Sequence, residues 1–340
     1  GTSPDTVTLT TDMVADNLTI NAGDFLITDG YEITLTDFLT IQNTGTLDAT
    51  NGTDGDSTIT LGGNWTNSGI FTADTSTVIF DGAGTQTLNS GASSFYDVTH
   101  SGTGTLQLIN ELTVSNDFTL TNGALAANGW NMTVNGAFFQ TGGSFDGSSG
   151  VLDFNGNVSL SGGTFTSTSG TLFMSRDFTV VAPAAFFHNN GTVVLDGGGT
   201  TYTSYITVPA AGLSFNNLSI TAVSGISKFI QNGDVEVLGD LTITGVTSSL
   251  SADSAARRVT VYGDYYQPEG AFGILTLSFA GDTTHAFTSI SFAGNLVLDN
   301  PDEIVSLNAY FSIDGVGNFE ISEGTFRAES YGFRFNGGTF

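Results

Sequence analysis

The sequence predicts an all-β chain folded as a parallel β-solenoid, a β-helix with coils of about twenty residues. Three observations carry this reading: a repeat of about twenty residues, short strands that alternate apolar and polar, and corners built on glycine and asparagine. The repeat is plainest where Gly142-Gly143-Ser144-Phe145 and Gly150-Val151-Leu152-Asp153-Phe154 recur as Gly162-Gly163-Thr164-Phe165 and Gly170-Thr171-Leu172-Phe173-Met174. The offset is twenty residues at every matched position. One period earlier, Gly123-Ala124-Leu125 and Asn131-Met132-Thr133-Val134 stand in the same phase.

The strands come next. Asn17-Leu18-Thr19-Ile20, Asp177-Phe178-Thr179-Val180, Asn217-Leu218-Ser219-Ile220 and Asp240-Leu241-Thr242-Ile243 each open on a polar residue and then alternate. Alternation sends one set of side chains inward and the other outward. Asn-Gly, Asp-Gly and Gly-Gly pairs between strands supply the positive-φ corners that tight bends need. A hairpin meander would carry turn signals every 8–12 residues and would not repeat at twenty; an antiparallel β-sandwich array is the competing architecture. A single coil cannot bury its own apolar side chains, but stacked coils form a continuous core. The length accommodates about seventeen coils of this size. Phe145 and Phe165 are expected to stack inside.

A larger repeat lies above the coil. Phe80-Asp81-Gly82, Leu195-Asp196-Gly197 and Phe279-Ala280-Gly281 each follow a strand and precede a similar segment. One continuous solenoid over 1–340 is therefore expected, with sub-modules 1–79, 80–194, 195–278 and 279–340. Segments 200–235 and 248–272 fit the period less well and are expected to carry enlarged loops.

Composition narrows the function. Six Lys plus Arg face 33 Asp plus Glu, for a formal net charge of −27. Nucleic acid and anionic membrane surfaces are excluded as partners, because both need clustered cations. Divalent cations such as calcium, bridging acidic faces, remain compatible. Zero cysteine removes disulfides, thiol catalysis and cysteine-ligated zinc.

Segments such as Gly62-Gly63-Asn64-Trp65-Thr66-Asn67-Ser68-Gly69-Ile70-Phe71 and Asp240-Leu241-Thr242-Ile243 resemble the right-handed parallel β-helix regions of large, repetitive microbial surface proteins. These are the filamentous-haemagglutinin-like adhesins and autotransporter-type passengers. The resemblance covers essentially the whole chain through its repeat style. It implies a right-handed coil, an extracellular or cell-surface location, and no conserved catalytic site.

Parallel β-helices also include pectin-degrading enzymes. The polygalacturonase-type pattern needs Asp-Asp, Gly-His-Gly and Arg-x-Lys, and none occurs here. Elimination chemistry needs a base beside calcium-bound carboxylates; Lys228 and the arginines are scattered instead. No catalytic, cofactor or metal residue is assigned. His100, His188 and His285 are isolated and are expected on loops or outer strand faces, and Lys228 on the surface. Asn51-Gly52-Thr53-Asp54-Gly55-Asp56-Ser57 lacks the calcium-loop order and reads as a turn. Gly197-Gly198-Gly199 reads as a corner. Asn17, Asn51, Asn64, Asn131, Asn157, Asn190 and Asn217 are candidate N-glycosylation sites, close to the about six that chance would supply. Tyr265-Tyr266 and Trp65 form a carbohydrate platform only if exposed; core packing is the expected fate of Trp65.

Two functions follow. One is a non-catalytic structural subunit or stalk of an extracellular fibre, sheath or surface layer, with copies of itself as partners end to end. The other is an adhesin binding cell-surface glycans through lateral loops; a polysaccharide lyase or hydrolase ranks behind both. The open pattern at both termini, without capping elements, is the expectation that favours assembly.

Overall fold

In a parallel ladder each strand needs a partner one coil away, so the repeat length must reappear as a register offset. The computed structural model of the chain describes residues 4–50, 52, 56–197, 202–221, 226–245, 248–254, 256–273, 275–281, 284–289, 292–309, 311–313 and 317–335. Among them there is no α-helix, and the paired strands are parallel, forming a β-solenoid of about 15 turns.

The chain divides into two compact units, Gly1–Thr168 with Pro183–Ala185, and Ser169–Ala182 with Phe186–Phe340. In the first, Thr77–Phe80, Asp97–His100, Phe118–Leu120, Phe138–Gln140 and Val158–Leu160 stack in one sheet. Val98 pairs with Phe118, Phe118 with Phe138 and Phe138 with Val158, each twenty residues on. A second sheet stacks Thr85–Asn89, Thr105–Leu108, Ala124–Ala126, Ser144–Asp146 and Thr164–Thr166. A third stacks Leu112–Val114, Met132–Val134 and Leu152–Phe154. In the second unit the offsets lengthen: Thr192 pairs with Asn217, Phe178 with Ile206, and Leu241 with Tyr265. Longer coils explain why about 15 turns, and not seventeen, take up the chain.

Burial follows the alternation. Leu152–Phe154 and Phe178–Val180 bury their first and third residues and leave the middle one half-exposed. The inward rings pack on one another. Phe145 pairs with Phe165 in register, and their rings stack with centroids 4.5 Å apart. Phe138 stacks on Phe118 at 5.6 Å and on Phe154 at 4.9 Å, and meets Phe165 edge-on at 5.7 Å.

The glycine corners have a steric cause. Gly123, Gly143 and Gly163 all adopt positive φ. A Cβ on Gly163 would collide with the carbonyl oxygen of Gly143, and one on Gly143 would meet that of Gly123 at 2.6 Å. The stacking distance between coils leaves no room for a side chain pointing along the axis.

Two outcomes are expected in chemical unfolding. Phe165→Ala costs about 3–5 kcal/mol, because a buried ring leaves a packed cluster. Gly143→Ala costs more than about 1–2 kcal/mol, since positive φ and the backbone collision act together.

Candidate functional site

Where a strand ends and the chain bends, the backbone ladder is interrupted and N–H groups of the neighbouring coil lose their carbonyl partner. Asp and Asn side chains take over. Asp97 Oδ1 accepts from the Asp117 N–H at 2.8 Å, and Asp117 Oδ1 accepts from the Ala137 N–H at 2.7 Å. In the second unit Asn217 Oδ1 accepts from Asp240 N–H (2.9 Å), Asp240 Oδ1 from Asp264 N–H and Asp264 Oδ1 from Ala286 N–H (both 2.8 Å). Asp12, Asp177 and Asp234 bond in the same way to Glu32, Tyr205 and Arg258. These are the polar residues that open the strands. Sequence reading found their position and missed their role, although the recurrence of Asx before each alternating triplet was the signal.

The candidate glycosylation residues belong partly to this set. Asn17, Asn64 and Asn131 are exposed, and their Oδ1 atoms accept from the N–H groups of Phe38 (3.2 Å), Thr87 (2.7 Å) and Val151 (2.9 Å). Asn217 is half-buried, while Asn157 and Asn190 are exposed. Asn51 lies outside the described residues, as does most of the segment that resembles a calcium loop, and so do Gly198 and Gly199.

The expected placement of the basic side chains is overturned at three positions. His100 is buried: its Nδ1 lies 3.1 Å from the Phe80 carbonyl and its Nε2 3.4 Å from that of Gly104. Burial pushes its pKa below the usual histidine value, against the opposing effect of those carbonyls. His285 is buried too, with Nδ1 2.7 Å from the Gly263 carbonyl and its ring 5.1 Å from that of Phe279. Lys228 is 1 % exposed, and its Nζ donates to the carbonyls of Arg176 (3.3 Å) and Ser175 (3.5 Å). Desolvation lowers the Lys228 pKa to about 8, opposed by the charges of Asp196 and Asp177. The cause of all three is phase: each stands two residues from an inward apolar side chain, at Val98, Phe287 and Ile230. His188 is half-buried in a turn and accepts from the Asn190 N–H at 3.0 Å.

Buried amides do similar work. Gln86 accepts from the Gly82 N–H and donates to the carbonyls of Leu61 and Gly63, and Gln140 donates to that of Thr164. His100 and Gln140 occupy one inward column, Phe80–His100–Leu120–Gln140–Leu160. Trp65 is fully buried against Phe71 and Phe95. Tyr265 is buried as well, its hydroxyl donating to Gln267 Oε1 at 2.7 Å, so only Tyr266 of that pair faces solvent. The exposure on which a carbohydrate platform at Tyr265-Tyr266 depends is therefore met by Tyr266 and not by Tyr265.

Among the described residues no three His, Asp or Glu side chains converge as a metal site. The chain matches no known protein-family model, and no curated protein or solved structure shows significant similarity to it.

The buried bases set two pH effects. His100 has a lowered folded pKa, so its contribution to stability is complete above about 6.5 and falls as pH drops below that value. His100→Gln, copying Gln140, should keep a carbonyl bond and flatten this acid limb in urea titrations. Lys228 binds its proton more weakly when folded, so stability should rise as pH climbs from about 8 to 10.5. Lys228→Met should remove that rise, and its effect at neutral pH should exceed the about 0.5 kcal/mol expected of a surface site.

Proposed function

We propose that this chain is a non-catalytic structural segment of an extracellular fibre, stalk, sheath or surface layer, in the manner of the filamentous-haemagglutinin-like surface proteins its repeats resemble. The observation that carries the reading is the employment of its polar side chains. Aspartate, asparagine, glutamine and histidine groups that could serve chemistry bond one coil to its neighbour, and Lys228 reaches across two coils. A parallel ladder of this kind extends by adding coils, and the same edge chemistry would let copies pair end to end.

The charge shapes that assembly. No Lys or Arg precedes Arg176, so the first unit is uniformly anionic. At physiological salt the Debye length is about 8 Å, and side-by-side repulsion is screened beyond close contact. Axial pairing is short-ranged and should persist, whereas lateral bundling should require calcium bridging acidic faces. Electron microscopy with light scattering, in calcium and in a chelator, tests this. Long particles in both conditions, thickened only in calcium, are expected. Short monomers in both would defeat the fibre reading and leave the adhesin, which the next observation favours independently.

A further inference from the structure

We infer that the corner around Trp130 is a binding platform for a neutral, hydroxyl-rich saccharide chain. Trp130 is 43 % exposed, and it is flanked by Ile109 and Val151, which are 44 % and 41 % exposed. These residues stand in the corners just before Leu112, Met132 and Leu152, which pair in register in successive coils. They place an apolar strip diagonally across three coils.

The fold does not require an indole there. Counting back two residues from the paired Leu112, Met132 and Leu152 gives Asn110, Trp130 and Gly150, so at the equivalent position the neighbouring coils carry no apolar side chain. Gly150 is itself obligatory, because a Cβ on it would meet the Trp130 carbonyl oxygen. Trp130 also takes no part in the aromatic stacking of the core among the described residues. A large apolar surface held in water without a packing role marks a contact site.

The corner is rigid. Asn128 takes positive φ, its Nδ2 donates to the Leu108 carbonyl at 3.0 Å, and the Trp130 N–H donates to the Ala127 carbonyl at 2.9 Å. Beside the ring, Asn131 Nδ2 donates to Glu111 Oε1 at 3.0 Å while its Oδ1 accepts from Val151 N–H. A backbone fixed in advance limits the freedom lost on binding to the torsions of the indole side chain. Its negative face attracts the polarised C–H bonds of a pyranose, and the flanking carboxylate and amide suit hydroxyl groups. Charge selects the class of saccharide. The unit contains no Lys or Arg, so uronates, sulfated sugars and acidic peptides meet repulsion with no compensating pair. A cationic peptide would also be drawn to the indole face and its acidic surroundings, so tighter binding of an oligolysine than of every neutral saccharide would overturn the proposal.

The test is calorimetric titration of the full chain, produced without N-glycosylation because Asn131 adjoins the patch. Cellohexaose, mannohexaose, xylohexaose, an oligogalacturonate and an oligolysine serve as probes, with tryptophan emission recorded in parallel. At least one neutral hexasaccharide should bind, insensitive to sodium chloride, and shift the emission of Trp130 while buried Trp65 reports an intact fold. Trp130→Ala should weaken binding about tenfold, and Trp130→Phe by less. No binding by any neutral probe at millimolar concentration would overturn the proposal. So would unchanged affinity in Trp130→Ala, or preference for the oligogalacturonate. None of these outcomes bears on particle length, so this proposal and the structural role fail separately.

Discussion

The parallel coil-to-coil ladder governs this molecule, and its weak point is the corner. Within a strand, backbone N–H and carbonyl groups find partners one coil away at no cost in sequence. At each bend the backbone turns out of register, and an unpaired donor there costs about 1–3 kcal/mol where water is excluded. The chain answers with short Asx side chains that place a carboxylate or amide oxygen where the carbonyl is missing, as Asp97, Asp117, Asp240 and Asp264 do. An acceptor-only carboxylate is well suited to this, and part of the acidic composition is therefore architectural.

The interior obeys the same constraint. The large polar side chains in the bore reach backbone carbonyls: Gln86 at Leu61 and Gly63, His100 at Phe80, Lys228 at Arg176 and Ser175. Between them the phenylalanine stacks fill the volume. Anchored corners are a by-product, and a residue displayed on one, such as Trp130, has its backbone held relative to the coils around it. A solenoid thus offers display points along its flank, so the structural and adhesive readings are compatible in one chain.

Much of the fold was legible because the period is printed in the residues: the twenty-residue offset put Phe165 on Phe145, and the structure stacks them. Trp65 went to the core as its strand pattern requires. The histidines were legible in principle. Asp97-Val98-Thr99-His100 alternates, so His100 must share the inward face of Val98, and Thr284-His285-Ala286-Phe287 places His285 with Phe287. A polarity expectation hid a phase that was already written. Lys228 was harder, since Phe229 and Ile230 are adjacent apolar residues and either could have marked the inner face. Longer coils in the second unit also blurred the period that would have resolved it. The Asx bonds could not be read at all without knowing which N–H lies one coil above.

The most direct measurement of the central claim is the stability of Asp117 variants in urea. Asp117→Asn keeps an oxygen for the Ala137 N–H and should leave stability within about 0.5 kcal/mol of the parent. Asp117→Ala removes the acceptor and should cost about 1–3 kcal/mol, with faster hydrogen exchange at the Ala137 amide. Equal stability of the Ala and Asn variants, with an unchanged Ala137 amide, would contradict the account.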